Sequence, residues 1–511
     1  MNRRIGRRRA ARASTSRGTV LQRPWSRLRN FYSPIEVLSA DEVEKIHNAS
    51  LEILEDIGIA FLLPEALDIL RRAGADVDDV SQMVRFDRHL IEASLSRAPT
   101  LFTLHTRNPD HDLIFGANHL NFATVGSAPN VSDLEHGRRS GTFTDYVKLV
   151  KLAQCLNVVH LCGGYPVEPT DLPPETRHLD ALHTFATLTD KAFHAYSLGR
   201  TRILDGIEIA RIARGISEQQ LLKEPSLFTV VNSSSPLRID GPMLEGVIEM
   251  ARHNQIVVIT PFTLAGAMAP ATIAGALALQ NAEALAGIAF AQIVSPGTPC
   301  IYGGFTSNVD MKTGAPAFGT PEYTKAALAG GQLARRYGLP YRSSNANAAN
   351  VVDAQAAYES EMSLWGAVMS HANMVMHGAG WLEGGLCASF EKMVLDAELL
   401  QLMAEFLKPI DVNDDTLGLE AIREVGPGGH FFGAKHTLAR YETAFYPPLL
   451  SDWRNFENWQ ESGARTATER AHTIYKAMLE DYEEPVLDSA RREELDAFVS
   501  KRKEEGGAIA V

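Results

Sequence analysis

Aromatic and neutral polar residues recur where apolar runs end along the middle of this chain. They are Ser127, then Gly163, Gly164 and Tyr165, Tyr196 and Ser197, Asn232 to Ser235, Phe262 and Thr263, and Phe305 with Ser307 and Asn308. Two further ends carry Arg342, Ser343, Ser344, Asn345 and Asn347, then His377, Trp381 and Glu383. These residue types suit a small cation. The ring faces of Tyr165, Tyr196, Phe262, Phe305 and Trp381 attract an alkylammonium group through their quadrupoles, and Glu383 offers a counter-charge. The plain alternative is that the rings only fill space and that Glu383 is a solvated loop acid.

Other chemistries lack their parts. Metal-assisted catalysis needs three or four convergent Cys, His or carboxylate ligands. The nearest pair is His160 and Cys162, two apart on one strand face, and a packed interior explains them better. No metal site is therefore expected. Neither a GxSxG elbow nor a phosphate-binding loop is present, and Gly303-Gly304 lacks the spaced third glycine of a dinucleotide fingerprint. No residue is proposed as a nucleophile, and the catalytic residues stay unassigned. GPGGHFFGAKHT, from Gly426 to Thr437, lies outside these runs; it reads either as a structural turn or as a lid or docking element.

The elements that position these residues follow from the runs themselves. Leu120 to Val125, Val158 to Cys162, Ala192 to Ser197, Leu227 to Asn232, Ile256 to Pro261, Cys300 to Gly304, Pro340 to Asn345 and Met374 to His377 start about every 29 to 44 residues. Each is followed by a segment of helical period such as Phe143 to Cys155 or Glu322 to Arg336. One strand and one crossover helix per unit, repeated eight times, predict a (β/α)8 TIM barrel over residues 116–410. Residues 35–115 read as an α/β cap whose first helix opens on a Ser39/Glu42 capping box. Residues 411–511 read as a C-terminal helical extension packed on the barrel, and residues 1–34 as an Arg-rich disordered arm.

The chain has 511 residues, 45% of them hydrophobic, which suits a globular protein. No run of 18 apolar residues occurs, so no membrane span is expected. The longest candidate, Ala265 to Val294, contains Gln280, Asn281, Glu283 and Gln292 and reads as a barrel helix. Cys155, Cys162, Cys300 and Cys387 show no paired spacing, which fits a reducing cytoplasm. Net charge is −13, and the first 30 residues hold ten arginines and no acid, so the remainder carries −23. Nucleic acid is thereby disfavoured as a partner.

Three stretches resemble the trimethylamine:corrinoid methyltransferase family: LSADEVEKIHNASLEILEDIGI, VVDAQAAYESEMSLWGAVMSHANMVMHGAGWLEGGLCASFEKMVLDAELL, and GPGGHFFGAKHT. The resemblance runs from about Leu38 to Pro485. It implies a (β/α)8 barrel that moves a methyl group from a methylated amine to the cobalt of a corrinoid (cobalamin) held by a partner protein. The chain itself would bind no cofactor. Archetypal members carry pyrrolysine in the barrel, aligned near Asn345 to Val352, whereas every position here is a standard residue. The branch without pyrrolysine is associated with quaternary amines, so glycine betaine is the expected substrate. On that reading Tyr165, Phe305, Trp381 and Glu383 stabilise the cation, and Arg342, Asn345 or His377 recognises the carboxylate. A homo-oligomer is expected. The alternatives are another methylated amine, transfer to tetrahydrofolate, or a silent methylamine-binding protein.

Overall fold

The computed structural model describes residues 20–509. Its centre is eight parallel strands: β1 (His119–Thr124), β2 (Leu161–Cys162), β3 (Ala192–Phe193), β4 (Phe228–Val231), β5 (Ile256–Ile259), β6 (Cys300–Gly303), β7 (Tyr341–Ser344) and β8 (Met374–Ala379). Hydrogen bonding runs β3-β2-β1-β8-β7-β6-β5-β4, and a parallel bridge between His194 and Phe228 closes the cylinder. Outside lie α1 (Phe143–Cys155), α2 (Arg177–Leu188), α3 (Arg200–Arg214), α4 (Gly241–Arg252), α5 (Ile273–Val294), α6 (Pro321–Arg336), α7 (Ala354–Met369) and α8 (Phe390–Phe406). The expected (β/α)8 barrel is the observed fold.

Local chemistry explains these boundaries. Strands buried on both faces read as continuous apolar runs, as in Ile256–Ile259, where all four residues are buried. Asp240 and Thr320 cap α4 and α6, each with proline in the first turn. Helix α5 is long and apolar enough to cross a membrane, yet 83% of its most apolar window is buried inside the protein. Its polar residues face neighbours: the Glu283 carboxylate accepts from the Ser233 and Ser235 hydroxyls and from the Leu237 N–H, holding the loop after β4.

The cap closes the end of the barrel where the strands begin. Phe102–Leu104 and Leu113–Phe115 pair antiparallel, and Leu104, Leu113 and Phe115 share one core with inward residues such as Ala123, Leu161, Ile256, Ile301 and Met374. The capping box forms as expected, with Ser39 Oγ accepting from the Glu42 N–H and the Glu42 carboxylate accepting from the Ser39 N–H.

Residues 20–34 depart from the expected disordered arm. Leu28–Arg29 pairs antiparallel with Leu120 and His119, Trp25 packs on the His111 and His160 rings, and Arg23 is 3.1 Å from Glu405. The arginine-rich composition masked Trp25 and Leu28, whose contacts with the barrel offset the entropy of ordering. The rest of that arm lies outside the described residues.

His160 sits in this floor. Its Nδ1 accepts from the Phe122 N–H at 3.0 Å and its Nε2 faces the Ser26 carbonyl at 3.1 Å, while burial takes its pKa down to about 4. His194 Nε2 accepts from the Val230 N–H, and burial takes its pKa down to about 3. Both are neutral when folded and take up a proton near pH 6.5 only when unfolded. Their contribution to stability is therefore complete above about pH 6.5 and is lost as pH falls towards 4, at about 1.4 kcal/mol per pH unit for each. Denaturant unfolding at pH 7, 6 and 5 should show that decline, and His160→Asn should remove about half of it, the rest belonging to His194; a stability independent of pH over this range would contradict the assignment.

Beyond the strand ends, loops raise a rim. Phe262–Ala265, Phe305–Val309 and Pro316–Ala317 form one small sheet after β5 and β6. Asn130–Asp133, Gly137–Ser140, Trp381–Leu382 and Cys387–Ser389 form another after β1 and β8. Towards the C-terminus, helix Ala467–Glu480 lies along α8, with Tyr475 stacked on Phe390 at 5.1 Å, and helix Ser489–Glu504 ties to α3 through Arg502 and Asp205 at 2.7 Å.

Candidate active site

A cavity of about 440 Å³ opens where β1 to β4, β7 and β8 end. Arg342, on β7, forms part of its wall and is 3% exposed. Its Nη1 reaches the Gly304 carbonyl only at 3.4 Å, Nη2 stands 3.4 Å from His377 Nε2, and Nε has no partner. The Phe305 ring centre lies 5.2 Å from the guanidinium carbon. Among the described residues no carboxylate pairs with it. Burial brings its pKa down to about 10, so it remains charged at neutral pH. An uncompensated buried charge is destabilising, and a ligand carboxylate would complete the two-pronged pairing that a guanidinium favours.

His377 is aimed into the cavity by an irregularity in β8. The register against β1 shifts between Val375 and Ala379, and His377 lies within that bulge at φ 56°. Such bulges at barrel rims redirect side chains, at a cost of about 1–3 kcal/mol for a non-glycine residue at positive φ. Burial, reinforced by Arg342 and His194, holds the His377 pKa well below the usual value. The ring is neutral, with Nδ1 unpartnered.

Tyrosines form another part of the wall. The Tyr165 and Tyr196 rings meet edge to face at 4.5 Å. The Tyr196 hydroxyl accepts from the Tyr165 N–H at 2.9 Å and bonds Ser127 Oγ at 2.7 Å. Gly164 permits this closeness, because a Cβ there would stand 2.6 Å from that hydroxyl. Glu168 is the sole carboxylate among the lining residues and is 2.8 Å from Arg177. Arg202 donates to the Leu198 and Pro174 carbonyls. With three arginines and one carboxylate around it, the cavity favours a ligand bearing negative charge.

Of the expected substrate residues, Tyr165, Arg342 and His377 line this cavity. Phe305 acts from behind Arg342 and stacks on Phe262 at 5.2 Å. Asn345 is buried, donating from Nδ2 to the Gly378 carbonyl at 3.0 Å with Oδ1 unpartnered. Trp381 is buried behind His377, with ring centres 4.2 Å apart and its indole N–H donating to the Asn347 carbonyl. Glu383 receives Arg138 Nε at 2.9 Å on both oxygens. Trp381 and Glu383 do not line this cavity: after β8 the chain folds back through Trp381–Leu382 onto Cys387–Ser389, with Trp381 turned inward and Glu383 towards Arg138. GPGGHFFGAKHT contributes no lining residue.

Glu168, Arg177, His194 and Arg202 also line the cavity, though residue type and spacing alone do not single them out. Their mark in the sequence is position: the charged stretch that follows Tyr165, and Arg202 early in α3, both lie close after strand ends.

The segment from Asn345 to Val352 rests on a buried polar base. Lys392 and Asp396 form an ion pair with neither side chain exposed; Lys392 Nζ also donates to Ser360 Oγ at 2.9 Å, and Asp396 accepts from the Gly380 N–H at 2.8 Å. Glu359 accepts from the Ala348 and Ala349 N–H groups. Among the described residues no three His, Cys, Asp or Glu side chains converge as a metal-ligating group.

Comparison with known proteins gives this geometry a context. Residues 3–507 match the family described as trimethylamine methyltransferase (MTTB). The glycine betaine methyltransferase of Desulfitobacterium hafniense is 38% identical over 472 residues, covering 92% of this chain and 98% of that protein. The trimethylamine methyltransferase MttB of Desulfitobacterium hafniense is 28% identical over 471 residues, covering 92% and 94%. Among solved structures, MtmB in complex with hydroxylamine superposes with a TM-score of 0.50 at 11% identity, over 92% of this chain and 90% of that one, which is a likeness of fold. A closed barrel with an arginine- and tyrosine-lined mouth, matched from near its first residue to near its last, makes this chain a member of the trimethylamine methyltransferase (MTTB) family and an amine methyltransferase.

Proposed function

We propose that this enzyme demethylates a quaternary amine bearing a carboxylate, glycine betaine above all, and passes the methyl group to the cobalt of a corrinoid held by a separate protein. The observation that carries the reading is Arg342, a buried guanidinium at the cavity that pairs with no carboxylate among the described residues. A betaine carboxylate would supply the missing charge. Its trimethylammonium end would then lie towards the Tyr165 and Tyr196 rings, with Glu168 on the same side. The similarity to glycine betaine methyltransferase supports the same substrate.

The chemistry needs little from the protein. A quaternary nitrogen already carries positive charge, so it departs as a neutral amine without protonation. The C–N bond breaks with its electron pair on nitrogen as the methyl carbon bonds to the Co(I) of the second substrate. The chain's residues have to orient one methyl group and exclude water. A neutral His377 with a strongly lowered pKa suits this role, since no general acid is required.

Purified enzyme, a Co(I) corrinoid protein and a panel of amines test the reading. Glycine betaine should yield dimethylglycine, with choline and trimethylamine turned over far more slowly. Faster turnover of trimethylamine would overturn the substrate assignment. Transfer to tetrahydrofolate without the corrinoid protein would overturn the acceptor, and tight binding with no transfer to either would mark a silent binding protein.

A further inference from the structure

Between the end of α8 and residue 446 the chain makes an excursion that the barrel does not cover. Every side-chain hydrogen bond that the described residues 410–445 make stays inside that segment: Arg440 pairs with Asp415, His436 Nε2 meets the Asp415 carbonyl at 3.0 Å, and Asn413 caps its own short helix. The chain then returns to the helix it left, where the Tyr446 hydroxyl and the Leu449 N–H donate to Glu398 at 3.0 and 2.7 Å. Between these anchors its large apolar side chains face outward. Ile410, Phe432 and Phe445 are 86%, 83% and 86% exposed, and Val412, Ile422 and Tyr441 are exposed with them.

The barrel also has an uncovered apolar face nearby. Tyr358, Met362 and Trp365 recur at helical spacing on the outside of α7 and are 61%, 39% and 37% exposed. Outer helix positions of a barrel are ordinarily polar. Leu402 and Phe406 of α8 extend the same face, with the Phe406 ring 4.9 Å from Trp365.

We propose that residues 410–445 are an exchange arm that covers the α7–α8 face of a second copy of this chain, the second copy returning the contact. Three arguments select a second copy. The arm and the bare face belong to one chain and both adjoin α8, so a two-fold operation pairs each arm with the other copy's face and closes the assembly. Ten large apolar side chains are exposed between Ile410 and Phe445, a concentration that marks an association surface, and reciprocal pairing of arm and face covers both at once. The corrinoid protein of the proposed function, on which this third argument rests, has to leave after each turnover, which suits a smaller contact. Phe431 and Phe432 of GPGGHFFGAKHT then serve as arm anchors, which gives that motif a role away from the cavity.

The test uses the full-length protein with a benzophenone amino acid at position 432, prepared as a mixture of light- and heavy-nitrogen chains. Illumination should give light–heavy cross-links to peptides containing Tyr358 to Trp365 or Leu402 to Phe406. Phe432→Asp with Phe445→Asp, and separately Trp365→Glu, should shift the light-scattering mass to that of a monomer while the circular dichroism spectrum is kept. The cross-link does not depend on whether those variants fold. Cross-links confined to single chains, wild type that is monomeric at micromolar concentration, or cross-links that arise only when corrinoid protein is added would each overturn the proposal.

Discussion

Arg342→Ala is expected to weaken glycine betaine binding by about 2–5 kcal/mol, roughly 30-fold to several thousand-fold, the range for removing one partner of a desolvated charge pair. Choline, which lacks a carboxylate, should lose far less. Stability should move the other way from affinity. In the unliganded enzyme the guanidinium is buried with hydrogen bonds no shorter than 3.4 Å, so its removal relieves an uncompensated charge. Arg342→Lys keeps the charge and loses the planar fork, and should recover only part of the affinity. Calorimetric dissociation constants for betaine and choline, with unfolding midpoints of the unliganded proteins, separate these outcomes. Equal losses for both ligands would show Arg342 to be a packing residue.

The second large effect is on stability. Lys392→Met leaves Asp396 buried without its cation, and should destabilise the fold by about 3–5 kcal/mol. Burial already raises the Asp396 pKa, and the Lys392 ammonium opposes that rise. Without Lys392, Asp396 is held protonated well above its unfolded pKa. Its contribution is then present below the unfolded value and is lost as pH rises through the folded one, so the variant should be less impaired at pH 5 than at pH 8. Lys392→Met with Asp396→Leu removes both charges and should regain most of the loss. Denaturant unfolding of the three proteins at the two pH values provides the check; a double variant as unstable as the single one would mean that the pair is not the source. Because this pair supports Gly380 and Ser360 beneath the segment from Asn345 to Val352, the single variant should also impair substrate binding.

The barrel was legible in the sequence because burial on both faces forces apolar runs, and short crossovers force a near-constant spacing between them. The eight runs and the helices between them, the capping box at Ser39 and Glu42, and the placing of Tyr165, Arg342 and His377 at strand ends all follow from one-dimensional pattern. The family, too, is written in local motifs. What the tertiary structure decided is which strand-end side chains meet. Trp381 and Glu383 follow β8 as closely as the cavity residues do, but the return of the chain onto Cys387–Ser389 turns Trp381 behind His377 and gives Glu383 to Arg138. A positive φ at His377 inside a register shift, and the missing counter-ion of Arg342, leave no mark on residue spacing. Residues 20–34 show the same limit: composition counts charges, whereas Trp25 and Leu28 are held by surfaces that exist only once the barrel has closed.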